Sequence, residues 1–197
     1  MPNEIELHTS IFELQQKVSL HNSSSAFEQL YLLFYKGLHH FAYRIIRSNH
    51  IAEEIVSDVF VQLWKKRGDI SNIKNLRVFL YVAVKNQSLT YLYKSKKQRV
   101  SWIDEFAGGS DLVSANSTPE ELLHAKELTL QINHAVNNLP LKCKAVFKLV
   151  KESGLKYCEA ALVLNLSQKT IENQMGIALK KIAAVLRQNE YLKGEGS

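Results

Sequence analysis

The sequence is poor in the residues that build turn-rich or disulfide-bonded folds. Its 197 residues include 2 cysteines, 3 prolines and 8 glycines. Two cysteines are too few for a disulfide framework. Both Cys143 and Cys158 stand among apolar residues at helical spacing, so we expect reduced thiols within a core, as suits the cytoplasm. So little glycine and proline favours long helices over a fold of short strands and tight turns.

Long apolar runs and alternating patterns are also missing. No stretch approaches the roughly 18 apolar residues that a membrane-spanning helix needs. The start, MPNEIELHTS, lacks the basic residues and apolar run of a secretory signal, and we therefore expect a cytoplasmic protein. No segment alternates apolar and polar residues as a half-buried strand does. The 46% share of apolar residues is enough to bury a core. Because the strand pattern is missing, we predict an all-α fold.

Three amphipathic helices are predicted in the first half. The first covers about 26–48, with Ser25 as N-cap and Glu28 completing a capping box. The second runs from about 52 to 67 and is ended by Gly68. The third runs from about 76 to 94 after the N-cap candidate Asn75, with Phe79 among its core residues. It leads into a stretch that holds five bases and no acid, namely Lys85, Lys94, Lys96, Lys97 and Arg99.

A change of composition divides the chain. The segment SWIDEFAGGSDLVSANSTP at 101–119 has three acids, no base and many small polar residues, which is typical of a linker. We therefore predict two small helical domains, at 1–98 and 119–190, joined by a flexible linker at 99–118. Residues 191–197 are expected to form a flexible tail. The second domain is predicted to open at Thr118, Pro119 and Glu121, with breaks at NLP (138–140) and ESG (152–154).

The end of the second domain has the pattern of a helix-turn-helix. Ala160 and Ala161 provide small residues for a helix crossing, Asn165 suits a left-handed turn, and Ser167 is an N-cap candidate. The second helix, from Gln168 to about Gln188, has an inward apolar stripe: Ile171, Met175, Ala178, Leu179, Ile182 and Leu186. Its exposed N-terminal end is where such helices read base edges. That end carries Gln168, Lys169, Thr170, Glu172, Asn173 and Gln174.

Two readings of this polar face remain open. Gln and Asn pair bidentately with adenine and Lys with guanine, which favours DNA reading. An ordinary helical hairpin would leave the same face solvated. Glu172 either repels phosphate or accepts a hydrogen bond from cytosine.

The two halves together resemble the extracytoplasmic-function group of bacterial sigma-70 factors. The block AFEQLYLLFYKGLHHFAYRIIRSNHIAEEIVSDVFVQLWKKRGDI, with NLRVFLYVAVKNQSLTYLYKSKKQR, looks like their region 2. The block from TPEELL to KKIAAVLR is similar to region 4. The resemblance extends from about Ala26 to Arg187. It implies a non-enzymatic specificity subunit that binds the RNA polymerase core, needs no cofactor or metal, and directs transcription initiation at specific promoters.

The resemblance also implies the contact residues. The second helix matches the one that docks on the β′ clamp of the core, and region 4 members contact the β flap. The expected core-binding residues are Glu54, Ser57, Asp58, Gln62 and Trp64, although Trp64 also fits the inward stripe. The third helix matches the part that melts and reads the minus-ten element, where Asn86 borders a loop that captures a flipped base. The expected minus-ten residues are Lys85, Asn86, Gln87, Tyr91, Lys94, Lys96 and Lys97.

The helix-turn-helix then corresponds to the minus-thirty-five reader. Its expected DNA contacts are Ser167, Gln168, Lys169, Thr170, Glu172, Asn173 and Gln174. By resemblance, an anti-sigma factor is the expected regulator, and the chain should act as a monomer. The sequence departs from the commonest pattern at the turn, where Asn165 takes the place of glycine, and in the reading helix, which lacks arginine.

Three other functions fit the sequence less well. A stand-alone LuxR-like regulator would suit the C-terminal pattern but leaves the first block unexplained. A helical adaptor would leave the basic stretch of 85–99 without a role. An enzyme is the weakest alternative, because adjacent His39 and His40 point to different helix faces and Cys143 and Cys158 lack a CxxC spacing.

Overall fold

A computed structural model describes residues 4–96 and 130–194 of the chain, with side chains for residues 10–95 and 130–187. The described residues are helical apart from short connections, which confirms the all-α prediction. The chain divides into two compact units, Met1–Trp102 and Ile103–Ser197. The predicted linker at 99–118 lies outside the described residues, and the predicted domain limits remain expectations.

Four α-helices and one 3₁₀ segment form the described part of the N-terminal unit, residues 4–96. They are α1 (Glu4–His21), α2 (Ser24–Ile46), α3 (Asn49–Lys65), the 3₁₀ segment Arg67–Asn72 and α4 (Leu76–Lys96). Helix α1 was not anticipated from the sequence. It packs against α2 and the 3₁₀ segment and adds Ile11, Leu14 and Val18 to the core.

Side-chain caps set where these helices begin. The backbone N–H of Val78 donates to Asn75 Oδ1 at 3.0 Å, as predicted. The expected Ser25 cap of α2 is wrong. Asn22 adopts a left-handed conformation (φ 49°) that ends α1, and the extended Ser23 that follows accepts from the Ala26 N–H at 3.2 Å. The cap therefore lies two residues earlier, and Glu28 does not complete it.

Gly68 does not end α3 as the sequence suggested. The C-cap is Lys66, and the chain continues into the 3₁₀ segment that contains Gly68. Side chains of α1 hold this segment. Gln15 Nε2 donates to the carbonyls of Ile70 (2.7 Å) and Ile73 (3.0 Å), and the Ser19 hydroxyl donates to the Gly68 carbonyl (2.6 Å). At the end of α3 itself, the Lys66 N–H donates to carbonyls of the last turn, including those of Gln62 and Leu63, so a glycine cap is not needed.

The buried residues of α4 recur at every fourth position. They are Leu76, Leu80, Val84, Ser88 and Leu92. Tyr81 joins this face, and its hydroxyl lies so close to α2 that a Cβ on Gly37 would come within 2.9 Å of it. Phe79 was predicted as a core residue but is 43% exposed, because it lies about 100° round α4 from Leu80, at the edge of this stripe.

Four helices form the described part of the C-terminal unit. They are α5 (residues 130–137), α6 (Leu141–Phe147, continued by a π-helical turn Lys148–Glu152), α7 (Tyr157–Leu164) and α8 (Gln168–Gly194). The predicted break at 138–140 is confirmed, and the second break contains Gly154 with φ 66°. The predicted opening at Thr118, Pro119 and Glu121 lies outside the described residues. Helix α8 extends beyond Gln188, so residues 191–194 of the expected tail are helical.

Most of the predicted stripe of α8 faces the core. Ile171, Met175, Ala178 and Ile182 are buried against α6 and α7, while Leu186 is half-buried. Leu179 is 45% exposed, so its assignment to the stripe was wrong. It lies about 100° further round the helix than Ala178, beyond the buried arc.

The two cysteines differ from each other. Cys143 is buried in the α6–α8 core, as expected, but Cys158 is exposed, contrary to the prediction. In the part of the chain that the structure describes, no helix has the length and apolar character needed to cross a membrane.

Candidate nucleic-acid and partner interfaces

The exposed face of α3 is acidic. Glu54, Asp58 and Gln62 are exposed, and Ser57 beside them is half-buried. His50 Nδ1 lies 3.7 Å from Glu54 Oε1, and both side chains are more than half exposed. A shallow depression of about 510 Å³ is lined by His50, Glu53, Glu54, Ser57 and Asp58. Three of the five predicted core-binding residues thus line one depression, and the exposed Gln62 lies one turn beyond Asp58 on the same face of α3.

Trp64 belongs to a different edge of α3. Its ring packs on Phe27 of α2 at 4.9 Å between centroids, and the Arg67 guanidinium lies 4.9 Å from the Trp64 ring. At about 100° per residue, Trp64 and Gln62 are about 160° apart around the helix. The structure therefore places Trp64 in the α2–α3 contact, far around the helix from Gln62 but within about 20° of Ser57, two turns earlier.

A groove joins the predicted core-binding and minus-ten residues. Glu54 and Asp58 of α3 line it on one side, and Gln87, Tyr91 and Lys94 of α4 on the other. Its volume is about 310 Å³. Two acids and one lysine therefore border the same space, where their fields partly cancel.

Lys85 and Asn86 lie away from this groove. Lys85 is half-buried, and burial lowers the pKa of its ammonium group. Asn86 is exposed, and its backbone carbonyl accepts a hydrogen bond from the Thr90 hydroxyl at 2.9 Å. Lys97 lies outside the described residues, as does the side chain of Lys96. The predicted minus-ten set is thus split around α4.

A second cavity lies between α3, the 3₁₀ segment and α4. Its volume is about 470 Å³, and its lining is mostly apolar. It is lined by Val59, Gln62, Leu63, Lys66, Asp69, Ile73, Phe79, Ala83 and Gln87. Of the predicted residues, only Gln62 and Gln87 line it. A sequence signal existed, because Phe79, Ala83 and Gln87 recur every four residues and so share a face of α4.

The turn between α7 and α8 has the predicted chemistry. Asn165 adopts φ 56° and ψ 49°, the left-handed conformation expected of a residue in the position of glycine. Ser167 Oγ accepts from the Thr170 N–H at 3.1 Å, which confirms the N-cap. The same hydroxyl lies 2.8 Å from Thr170 Oγ1. Ser167 and Thr170 are therefore bonded to each other at the start of the reading helix.

The remaining polar residues of this helix end are also linked. Gln168 Nε2 donates to Glu172 Oε1 at 3.1 Å, and Lys169 Nζ lies 3.6 Å from Glu172 Oε2. These neighbours offset the negative charge of Glu172. Asn173 is exposed on the outer face. Gln174 is half-buried, and its Oε1 accepts from the Cys143 thiol at 2.9 Å.

Two family models match the chain, one in each unit. The model described as Sigma-70 region 2 matches residues 30–98. The model described as Sigma-70, region 4 matches residues 129–182. Together they account for more than half of the chain, in the order that the sequence suggested.

Similar proteins are sigma factors. The chain is 25% identical over 144 residues to the RNA polymerase sigma factor NccH of Alcaligenes xylosoxydans xylosoxydans, covering 70% of this chain and 74% of that one. It is 20% identical over 158 residues to the ECF RNA polymerase sigma factor SigM of Bacillus subtilis, covering 80% of this chain and 93% of that one.

Two solved structures have a similar fold. CnrH, in complex with the cytosolic domain of CnrY, aligns with a TM-score of 0.57 and 21% identity, over 91% of this chain and 98% of that one. The sigma factor RpoE of Bartonella quintana, in complex with the anti-sigma factor NepR, aligns with a TM-score of 0.55 and 21% identity. That alignment covers 82% of this chain and 96% of the other.

Proposed function

The chain belongs to the extracytoplasmic-function group of the sigma-70 family, and from this premise we propose how its two units divide the work. It is a promoter-specificity subunit that binds the RNA polymerase core and directs transcription initiation at specific promoters. We assign core binding and minus-ten melting to 1–98 and minus-thirty-five reading to 119–190. The observation that carries this division is the match of region 2 and region 4 models to separate helical units.

Core docking is assigned to the acidic surface of α3. Glu54, Ser57, Asp58 and Gln62 share it, and an exposed acidic helix face suits a basic helical partner on the β′ clamp. Trp64 receives a supporting role, because its ring packs on Phe27 and fixes α3 against α2. Its substitution should therefore act on core binding through the position of α3.

Strand capture is assigned to the α3–α4 side of the N-terminal unit. We place the flipped base of the minus-ten element in the 470 Å³ cavity, where Gln87 and Asp69 can hydrogen-bond a base edge and Phe79 offers apolar surface. Tyr91 and Lys94 in the neighbouring groove supply a stacking ring and a phosphate partner. Asn86 and Lys85 then contact the strand outside the cavity.

Duplex reading is assigned to the start of α8. Lys169 and Asn173 are exposed there and can reach a phosphate and a base edge, respectively. The hydrogen bonds among Ser167, Thr170, Gln168 and Glu172 restrict their rotamers before DNA arrives. Such restriction lowers the entropy that is lost on binding.

The stand-alone LuxR-like regulator is not favoured, because it leaves the region 2 match at 30–98 unexplained. We propose a non-enzymatic role, since promoter selection by contacts to core and DNA requires no bond chemistry from this chain. We also propose that it acts in the cytoplasm, where the polymerase and the promoters are found. An anti-sigma factor is the proposed regulator, by analogy with the complexes of CnrH with CnrY and RpoE with NepR.

Run-off transcription tests the function. Purified polymerase core, genomic promoter fragments and the purified chain are combined, and transcripts are mapped to their start points. We expect specific starts that require both core and chain. Tight two-fold-symmetric DNA binding by a dimer without core would instead support the stand-alone regulator.

A further inference from the structure

A side-chain hydrogen bond joins the reading helix to the core of the C-terminal unit. It joins the thiol of Cys143 on α6 to Oε1 of Gln174 on α8 across 2.9 Å. Cys143 is 2% exposed, whereas Gln174 is half-buried at the edge of the helix. The two residues are 31 positions apart, so the bond depends on the packing of α6 against α8.

Helical geometry puts Gln174 beside the reading face. At about 100° per residue, Gln174 lies about 60° from Ile171, which points into the core. It lies about 100° from Asn173, which is exposed. Gln174 thus stands at the boundary between the core and the exposed face, with its Oε1 bonded to Cys143.

The chemistry of the two groups fixes which end faces outward. A thiol has one hydrogen to donate and a weakly accepting sulfur, so the amide oxygen is its better partner. Burial raises the pKa of the Cys143 thiol, which keeps the donor protonated. Because the amide is planar, an oxygen held towards Cys143 leaves the NH₂ group pointing away from the core.

We propose that Cys143 is a positioning residue for promoter recognition, holding Gln174 so that its NH₂ group is offered to a hydrogen-bond acceptor on the DNA. The acceptor is a base edge or a phosphate oxygen in the minus-thirty-five element. Without the thiol, the amide rotates, and the oxygen also becomes accessible. An amide that offers both groups pairs bidentately with adenine. Where the acceptor is a base edge, Cys143 therefore disfavours adenine at the contacted position. This inference rests on the proposed role of α8.

The test uses the full-length chain bound to polymerase core, with promoters randomised across the minus-thirty-five element. Cys143→Ala, Gln174→Ala and the double variant are compared with the original chain by sequencing the bound and transcribed promoters. Cys143→Ser retains a donor and should keep the original preference. Cys158→Ala is the matched control, because Cys158 is exposed and is not on α6. Thermal unfolding checks that each variant is folded.

For a base contact, we expect Cys143→Ala to raise the share of adenine at one position about two- to tenfold, the range of one hydrogen bond. Gln174→Ala should abolish preference at that same position. For a phosphate contact, both variants should weaken all promoters equally and by similar factors. In either case, Cys143→Ala should have no further effect once Gln174 is alanine.

Independent, multiplicative effects of the two substitutions would overturn the proposal, and so would an unchanged base profile and affinity in Cys143→Ala. Lys169→Ala and Asn173→Ala separate this failure from that of the proposed function. If those variants also leave every promoter unaffected, α8 does not read DNA. If they alter promoter choice while Cys143→Ala does not, only the positioning role is wrong.

Discussion

The two units present their predicted contact residues in different ways. In the N-terminal unit several of these residues border open space, as in the cavity of about 470 Å³ beside Gln87 and the groove of about 310 Å³ between Asp58 and Lys94. In the C-terminal unit most of them are bonded to one another or to the core, as Thr170 is to Ser167 and Gln174 is to Cys143. The first arrangement suits a ligand that must enter, and the second suits a surface that must keep its shape.

This difference agrees with the two tasks assigned to them. A flipped base needs room and a polar edge, because it leaves its stack before the protein can bind it. A duplex presents its groove edges already formed, so fixed side chains lose less entropy when they bind it. Variants that loosen the bonded side chains of the C-terminal unit should therefore affect duplex reading. Variants that change the open space of the N-terminal unit should affect strand capture.

The largest expected difference is between the two thiols of the C-terminal unit. Cys158 is exposed, whereas Cys143 is buried and burial raises its pKa. Alkylation of Cys143 requires local opening, so we expect it to react about a hundredfold more slowly than Cys158 with iodoacetamide at pH 8. Mass spectrometry of timed samples measures both rates, and denaturant should bring them together. Similar rates in the native protein would show that α6 and α8 open readily.

Charge reversal on α3 should have the next largest effect. Asp58→Lys places a base on the surface that is proposed to meet a basic partner, and we expect core affinity to fall about tenfold or more. Fluorescence titration with purified core measures this. Glu28→Lys is the control, since Glu28 is an exposed acid on α2. If both variants bind core as the original chain does, the acidic surface of α3 is not the docking site.

Substitution beside the cavity should impair opening more than docking. Gln87→Ala removes a polar group that lines the cavity, and Asn86→Ala removes an exposed one that is proposed to contact the strand outside it. For each we expect promoter opening to fall about fivefold or more, with core affinity nearly unchanged. A base analogue that fluoresces when unstacked reports opening in the minus-ten element. Equal losses in opening and core binding would argue against base capture by this region.

The smallest effect should come from the cap of the reading helix. Ser167→Ala removes the acceptor of the Thr170 N–H and should lower the stability of the C-terminal unit by about 1 kcal/mol. Ser167→Asn should retain most of that stability, because Asn also caps well. Denaturant unfolding of the full chain, followed by hydrogen exchange at 168–171, measures the change. A Ser167→Ala chain as stable as the original would mean that the cap contributes little.

Periodicity predicted most helices, because long amphipathic stripes are visible within one segment of sequence. The helix-turn-helix was predictable because Asn165 and Ser167 determine its turn and cap through local contacts, as Asn75 caps α4. Periodicity missed α1, whose few buried apolar residues are supplemented by Gln15. That residue is buried through bonds to carbonyls 55 and 58 positions away. Periodicity alone also could not say which part of an apolar arc would be exposed. Phe79, Leu179 and Cys158 were misplaced for that reason.

The candidate site was predictable where it follows one helix and not where two elements meet. The exposed acids of α3 and the polar start of α8 can be read from sequence positions alone. The cavity beside Gln87 depends on the packing of α3, α4 and the 3₁₀ segment, and the Cys143–Gln174 bond joins helices 31 residues apart. Trp64 was assigned to the core-binding set because of its position in the family pattern. Its contact with Phe27 of α2 depends on tertiary packing, which that pattern does not show.

The most direct measurement is run-off transcription from one mapped promoter and its dissected forms. Polymerase core is supplied with this chain as the sole specificity factor, and the minus-ten and minus-thirty-five elements are scrambled singly and together. The account predicts that each scrambled element sharply reduces the specific transcript. A template whose strands are mismatched, and so already open, at the minus-ten element should rescue only the minus-ten defect. Transcription that is indifferent to both elements, or that starts equally well without the chain, would contradict it.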